Sequence, residues 1–94
     1  MYNSSEVVFM SGDINYTEIY LKNGRKMVSS FTLLRHEEKH ASFIRVSKKH
    51  LINPKYISGY DMNGPKMEVE LKNGNSISVS RRRVKNVLSM ISAV

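Results

Sequence analysis

Met67, Val69 and Leu71 alternate with Glu68, Glu70 and Lys72, and Ile77 and Val79 alternate with Ser76, Ser78 and Ser80. A period of two over both stretches suits strands with one face buried and the other in water. Asn73-Gly74 between them marks a turn. Register separates the candidate loops. A two-residue loop would set Leu71 opposite Ser76 and split the apolar residues between faces. A three-residue loop, Asn73-Gly74-Asn75, sets Leu71 opposite Ile77 and Val69 opposite Val79, so an odd loop with a glycine-assisted bulge is expected. The preceding turn, Asn63-Gly64, reads as a two-residue loop that places Tyr60 opposite Met67 and Met62 opposite Pro65. Tyr60 and Met62 then share the apolar face. Residues from about 56 to 80 therefore read as a three-stranded antiparallel meander.

The rest of the chain is also strand-rich. Val7 to Met10 is a short apolar run, and Ile14 to Leu21 is rich in β-branched and aromatic residues. Phe43 to Val46 and Leu51-Ile52 are short runs parted by Ser47-Lys48-Lys49-His50. Leu21-Lys22-Asn23-Gly24 recurs as Leu71-Lys72-Asn73-Gly74. One short match reads as convergent turn chemistry rather than a repeat architecture. Val84, Val87, Leu88 and Ile91 form a single helical stripe, with Ser80 placed to cap the helix. A short helix from about Phe31 to Lys39 would turn Phe31 and Leu34 inward and leave Arg35 to Lys39 exposed. Phe9, Phe31 and Phe43 read as core.

Ninety-four residues make one small domain, 1–94, with a thin core. There is no cysteine. No apolar run nears the ~18 residues of a membrane span. The N-terminus lacks the basic start and apolar stretch of a signal peptide. A cytoplasmic location, with no membrane partner, is the expectation. Fifteen Lys and Arg against eight Asp and Glu give a net charge of +7. The excess is blocked: acids are absent between Glu18 and Glu37, between Glu38 and Asp61, and after Glu70. Such an imbalance favours a polyanionic partner. Arg81-Arg82-Arg83 would open the last helix at the positive end of its dipole, an arrangement that gains if an anion binds there.

His36-Glu37-Glu38-Lys39-His40 matches the H-E-x-x-H zinc-protease pattern. It falls at the end of a short polar helix, and Phe43 and Val46 stand where the metzincin form requires Gly and His. A five-residue pattern with two free positions does not outweigh that. There is no Gly-x-Ser-x-Gly, no phosphate-binding glycine loop and no dinucleotide fingerprint. The sequence therefore offers no catalytic residue, no metal ligand and no cofactor site, and an enzyme is not expected. Single-strand binders expose aromatic stacking platforms. The phenylalanines here read as core and the sequence shows no RNP-like aromatic pair, which favours duplex over single-strand binding.

Three stretches together resemble the LytTR DNA-binding domains. Phe43-Ile44-Arg45-Val46-Ser47-Lys48-Lys49-His50-Leu51-Ile52-Asn53, followed by Ile57, resembles their central signature. Ile77-Ser78-Val79-Ser80-Arg81-Arg82-Arg83 is similar to the closing strand and its step into the final helix. Asp13-Ile14-Asn15-Tyr16-Thr17-Glu18 is similar to an early element of the family. The resemblance covers residues 9 to 92. It implies a mainly-β fold, an elongated stack of antiparallel sheets with one short helix and a C-terminal helix. It also implies a bacterial, response-regulator-like transcription regulator that contacts the major grooves of double-stranded DNA through loops and pairs as a homodimer on directly repeated sites. The loops that would carry those contacts fall on the basic blocks: Lys22, Asn23 and Arg25; Lys48 and Lys49; and Arg82, Arg83 and Lys85. By chemistry Arg82 is the best base reader, since a guanidinium can grip a guanine edge with two hydrogen bonds. Arg25, Lys49, Arg83 and Lys85 suit phosphate, and Lys48 suits either. The alternative is a basic β-rich interaction module that binds RNA or an acidic protein without DNA specificity.

Overall fold

The computed structural model describes residues 2–92. Eight strands form two antiparallel sheets. The first sheet has the order β3-β2-β1-β5-β4, from β1 (Val7–Gly12), β2 (Thr17–Leu21), β3 (Lys26–Ser29), β4 (Ile44–Arg45) and β5 (His50–Ile52). The second is the predicted meander, β6 (Ile57–Asn63), β7 (Lys66–Leu71) and β8 (Ser76–Val79). Helix α1 (Leu33–Lys39) links β3 to β4, and α2 (Val84–Ser92) follows β8 through a 3-10 turn at Arg81–Arg83. The molecule is elongated, 38 × 25 × 20 Å.

Both faces of the central strands β1 and β5 are covered, while the edge strand β3 stays open, with Val28 66% exposed. A bulge between Val7 and Phe9 breaks the alternation of β1. Val8 and Phe9 consequently join one cluster while Val7 and Met10 join the other. The larger cluster places Val8, Phe9, Ile44, Val46 and Ile52 against Met67, Val69, Leu71, Ile77 and Val79 of the second sheet, with Val87 of α2 closing it. The smaller one packs Val7, Met10, Ile19 and Leu51 against Leu33 of α1 and Phe43. A strand buried on both sides reads as a continuous apolar run, which is what Val7 to Met10 is. The second sheet buries one face only, so β7 and β8 alternate cleanly between buried and exposed.

The meander is present, with each turn shifted. Met62 pairs with Met67 and Tyr60 with Val69, so the two-residue loop is Gly64-Pro65 and not Asn63-Gly64. Gly64 takes φ +63°, and Pro65, with no N–H to offer the ladder, is moved out of the strand into the turn. The β7–β8 loop has three residues, but they are Lys72-Asn73-Gly74. Val69 pairs with Ile77 and Met67 with Val79, and the Leu71 N–H donates to the Asn75 carbonyl at 2.9 Å. Both shifts move the pairing by two positions, so Tyr60 and Met62 stay on the face of Val69 and Met67 as expected, yet this end of β6 is not covered and they are 45% and 40% exposed.

The four-residue echo extends well beyond turn chemistry. Strands β3 and β8 stand fifty positions apart, at 26–29 and 76–79. The Lys22 N–H donates to Glu6 O and the Lys72 N–H to Tyr56 O, both at 2.8 Å. Asn3 and Asn53 each cap a 3-10 turn just before the first strand of their half. Gly24 and Gly74 adopt φ +87° and +92° at equivalent places in the two hairpins. The two halves share one plan: 3-10 turn, strand, hairpin, strand, hairpin, strand, helix.

The first helix departs from expectation. It begins at Leu33, capped by the Thr32 hydroxyl, which accepts from the Arg35 N–H. Its inward residues are Leu33 and His36, not Phe31 and Leu34, which are 45% and 58% exposed. Phe31 is therefore not core. Arg35 and Lys39 lie over its ring instead. Gly12 decides the docking of α1, because a Cβ there would stand 2.8 Å from Leu33 Cβ.

Candidate nucleic-acid interface

Strands β4 and β5 are so short that the loop between them, Ser47-Lys48-Lys49, depends on hydrogen bonds from outside its own ladder. It obtains several. The Gly12 N–H donates to the Lys49 carbonyl at 2.7 Å, which ties the loop to the end of β1. Arg45 donates to the carbonyls of Ser47 and Lys48, both at 2.7 Å. The Lys49 N–H donates to the Ser47 hydroxyl at 3.2 Å. With the backbone occupied in this way, Lys48 and Lys49 are left exposed.

The end of the second sheet is hooked onto the same place. The Ser80 N–H donates to the Val46 carbonyl at 2.8 Å, and its hydroxyl donates to the same oxygen at 3.3 Å. Ser80 is therefore not the side-chain cap of the last helix. It stands before a 3-10 turn without capping it, because its hydroxyl is turned toward the first sheet. The arginines occupy that turn rather than the first turn of α2, which starts at Val84. One consequence is proximity. Lys48, Arg82 and Arg83 line a single hollow together with Arg45 and Ser80, although more than thirty residues separate them in sequence.

The loop between β1 and β2 joins this end of the molecule. Gly12, Asp13 and Ile14 share a second hollow with Arg45, Lys48 and Lys49. Ile14 is 85% exposed, the most exposed large apolar side chain among the described residues. Asp13 is held below the usual carboxylate range, first by the Ile14 N–H that donates to it at 2.7 Å, then by Tyr16 and Lys49. Charge counting missed this loop because it carries no cation. The signal that could have found it is an exposed Ile in a short polar turn, since apolar contact with a thymine methyl is one way of reading a base.

The hairpin tip lies elsewhere. Lys22, Asn23 and Arg25 are exposed at the far end of β2, close to Glu6 and Tyr2. Five residues of β2 separate that end from the Asp13–Tyr16 loop, roughly 17 Å at ~3.4 Å per residue. The structure thus gathers Lys48, Lys49, Arg82 and Arg83 and does not bring Lys22, Asn23 and Arg25 to them. Lys85 is exposed near the start of α2, in the turn after the arginines. Among the described residues the ion pairs are Lys26–Glu18 and Arg45–Glu37. Neither neutralises a lysine or arginine of the gathered set.

His36 on α1 and His40 at its C-cap lie on one side, their rings parallel with centroids 6.3 Å apart, as H-E-x-x-H spacing requires. They point inward rather than at a common ligand. His36 Nε2 lies 2.8 Å from Ser29 Oγ, and His40 Nε2 lies 3.4 Å from the Tyr2 hydroxyl. Glu37, the base in the protease reading, is the partner of Arg45.

Two small sheets that present exposed cations on hydrogen-bonded loops and turns, none of them in an ion pair among the described residues, form a mainly-β module suited to a polyanion. The LytTr DNA-binding domain family model matches residues 1–92, and the chain belongs to that family. It is a DNA-binding domain of the transcription-regulator class. The fold is similar to that of a solved LytTr DNA-binding domain from Bacillus cereus, with a TM-score of 0.83 at 17% identity over 93% of this chain and 82% of that one. No curated protein matches the chain. No helix of the described residues is long and apolar enough to cross a membrane.

Proposed function

We propose that this domain recognises a specific duplex sequence through its loops, in the major groove, and does so in the cytoplasm without catalysing a reaction. The observation that carries the reading is the joining of the Ser47–Lys49 loop to Arg82 and Arg83 through the Ser80–Val46 hydrogen bonds. Exposed cations on a fixed backbone can take phosphate and a base edge in one geometry. Arg82 is the base reader. Lys49, Arg83 and Lys85 contact phosphate, and Lys48 faces either. Ile14 adds an apolar contact. Lys22, Asn23 and Arg25, a β2 length away, reach the duplex only if it also follows the direction of β2, so they act as outlying contacts. Two copies sit on directly repeated half-sites.

The test is an in-vitro selection from a random duplex library at near-physiological salt, with Arg82→Ala as control. A repeated motif enriched by the native chain and lost by the variant supports base reading. On the selected duplex Arg82→Ala should cost about 1–3 kcal/mol and relax specificity, while Lys49→Ala should lower the salt slope by about one unit. General DNA affinity without enrichment would defeat the specificity and redirect attention to RNA and acidic proteins.

A further inference from the structure

Arg45 lies in a basic block, and charge alone would count it with the DNA contacts. Its side chain is only 14% exposed, and all of its donor groups that make hydrogen bonds are turned toward the protein. Nε donates to the Ser47 carbonyl and Nη2 to the Lys48 carbonyl, both at 2.7 Å, while Nη1 donates to Glu37 Oε1 at 2.6 Å. Glu37 belongs to α1, which is fixed on β1 through Leu33. The guanidinium therefore spans the docked helix and two successive carbonyls of the loop. The third carbonyl of the loop, that of Lys49, is held by Gly12. A planar fork sets its donors on three separate nitrogens with fixed directions, matching acceptors spread around it, whereas the three donors of an ammonium radiate from a single nitrogen on a flexible stem.

We propose that Arg45, anchored by Glu37, is a positioning residue that presets the Ser47–Lys49 backbone so that Lys48 and Lys49 meet DNA already ordered. This rests on the reading of that loop as a DNA contact. Ordering a loop before binding removes an entropic cost from association, and that cost weighs on the complex that demands one geometry. Loose contact with any duplex does not demand it. Arg45 thus contributes to discrimination rather than to general affinity.

The test compares Arg45→Lys and Glu37→Ala with the native chain, by titration of the selected duplex and of a random duplex of equal length. Amide hydrogen exchange on the free protein accompanies it. Arg45→Lys keeps the charge, so affinity for the random duplex and the salt slope should hold, while affinity for the selected duplex falls about tenfold. Exchange at residues 47–50 should speed up by a similar factor, with β7 unchanged. Glu37→Ala should weaken selected binding by a smaller factor and leave random binding equal or stronger, because an acid has gone. Equal losses on both duplexes would refute positioning, as would a salt slope lower by one, which marks a phosphate contact. Exchange that rises throughout the sheets would assign Arg45 to general stability and overturn the proposal. If the native chain itself does not discriminate between the duplexes, it is the DNA reading that fails. The exchange result then still decides whether Arg45 holds the loop.

Discussion

Gly12→Ala isolates the contact that sets α1 against β1 beside the Ser47–Lys49 loop. Gly12 does not have a positive φ, so alanine meets no backbone strain there. The conflict is steric. A Cβ at this position would stand 2.8 Å from Leu33 Cβ, with Leu33 Cδ2 and Cγ at 3.2 and 3.4 Å. Cβ is fixed to the helix backbone, so a rotamer change of Leu33 does not relieve the closest approach. Either α1 or β1 must shift. Overpacking of this kind costs about 1–3 kcal/mol. Lower freedom in the unfolded chain returns about 0.4–1 kcal/mol. At the midpoints of these ranges the net loss is about 1.3 kcal/mol, which for a domain of this size lowers Tm by roughly 5–10 °C. Urea denaturation and scanning calorimetry measure both quantities. A Gly12→Ala protein as stable as the native one would refute the claim that α1 is seated by the missing Cβ. If the shift is taken up by β1, the Gly12–Lys49 hydrogen bond should also weaken, and selected-duplex binding should fall more than random binding.

Gly24→Ala and Gly74→Ala occupy equivalent left-handed positions, with open space around each, so each should cost about 1–2 kcal/mol in urea unfolding, and unequal losses would count against equivalent hairpins. Leu51→Ala removes a fully buried side chain from β5, between β1 and β4, and should cost about 2–5 kcal/mol in the same assay. Burial pulls the pKa values of His36, His40 and His50 below their ordinary value, with neighbouring cations adding to the effect. The unfolded chain then takes up protons first, so stability is complete above about pH 6.5 and falls as pH drops through the folded-state values. Urea midpoints at pH 7.5 and pH 5 should show the loss, and a midpoint that rises on acidification would contradict it. Combined replacement of Lys22 and Arg25 by alanine should lower the salt slope by less than Lys48→Ala with Lys49→Ala, and salt titrations on one duplex compare the two.

Local chemistry made much of this protein legible in its sequence. The alternation in β7 and β8, the Asn-Gly turns and the stripe of α2 follow from periodicity, because a half-buried strand and an amphipathic helix each leave a repeating imprint. The face each residue takes was also determined there, and the two-position register shifts did not disturb it. The resemblance of Phe43–Asn53 and Ile77–Arg83 to LytTR domains marked the loops that carry the cations. Other features depended on distant partners. Leu33 and His36 face inward, rather than Phe31 and Leu34, because a glycine some twenty residues earlier opens space for the helix. The Ser80 hydroxyl serves Val46 rather than a helix end, and so seats Arg82 beside Lys48. Arg45 is withdrawn from the surface by a glutamate on α1, whereas Lys22 and Arg25, equally basic in sequence, are left a strand length away. Charge is a property of a residue and can be counted along the chain. Which charges act together is settled by hydrogen bonds between segments far apart in sequence, and those exist only once the two sheets have packed.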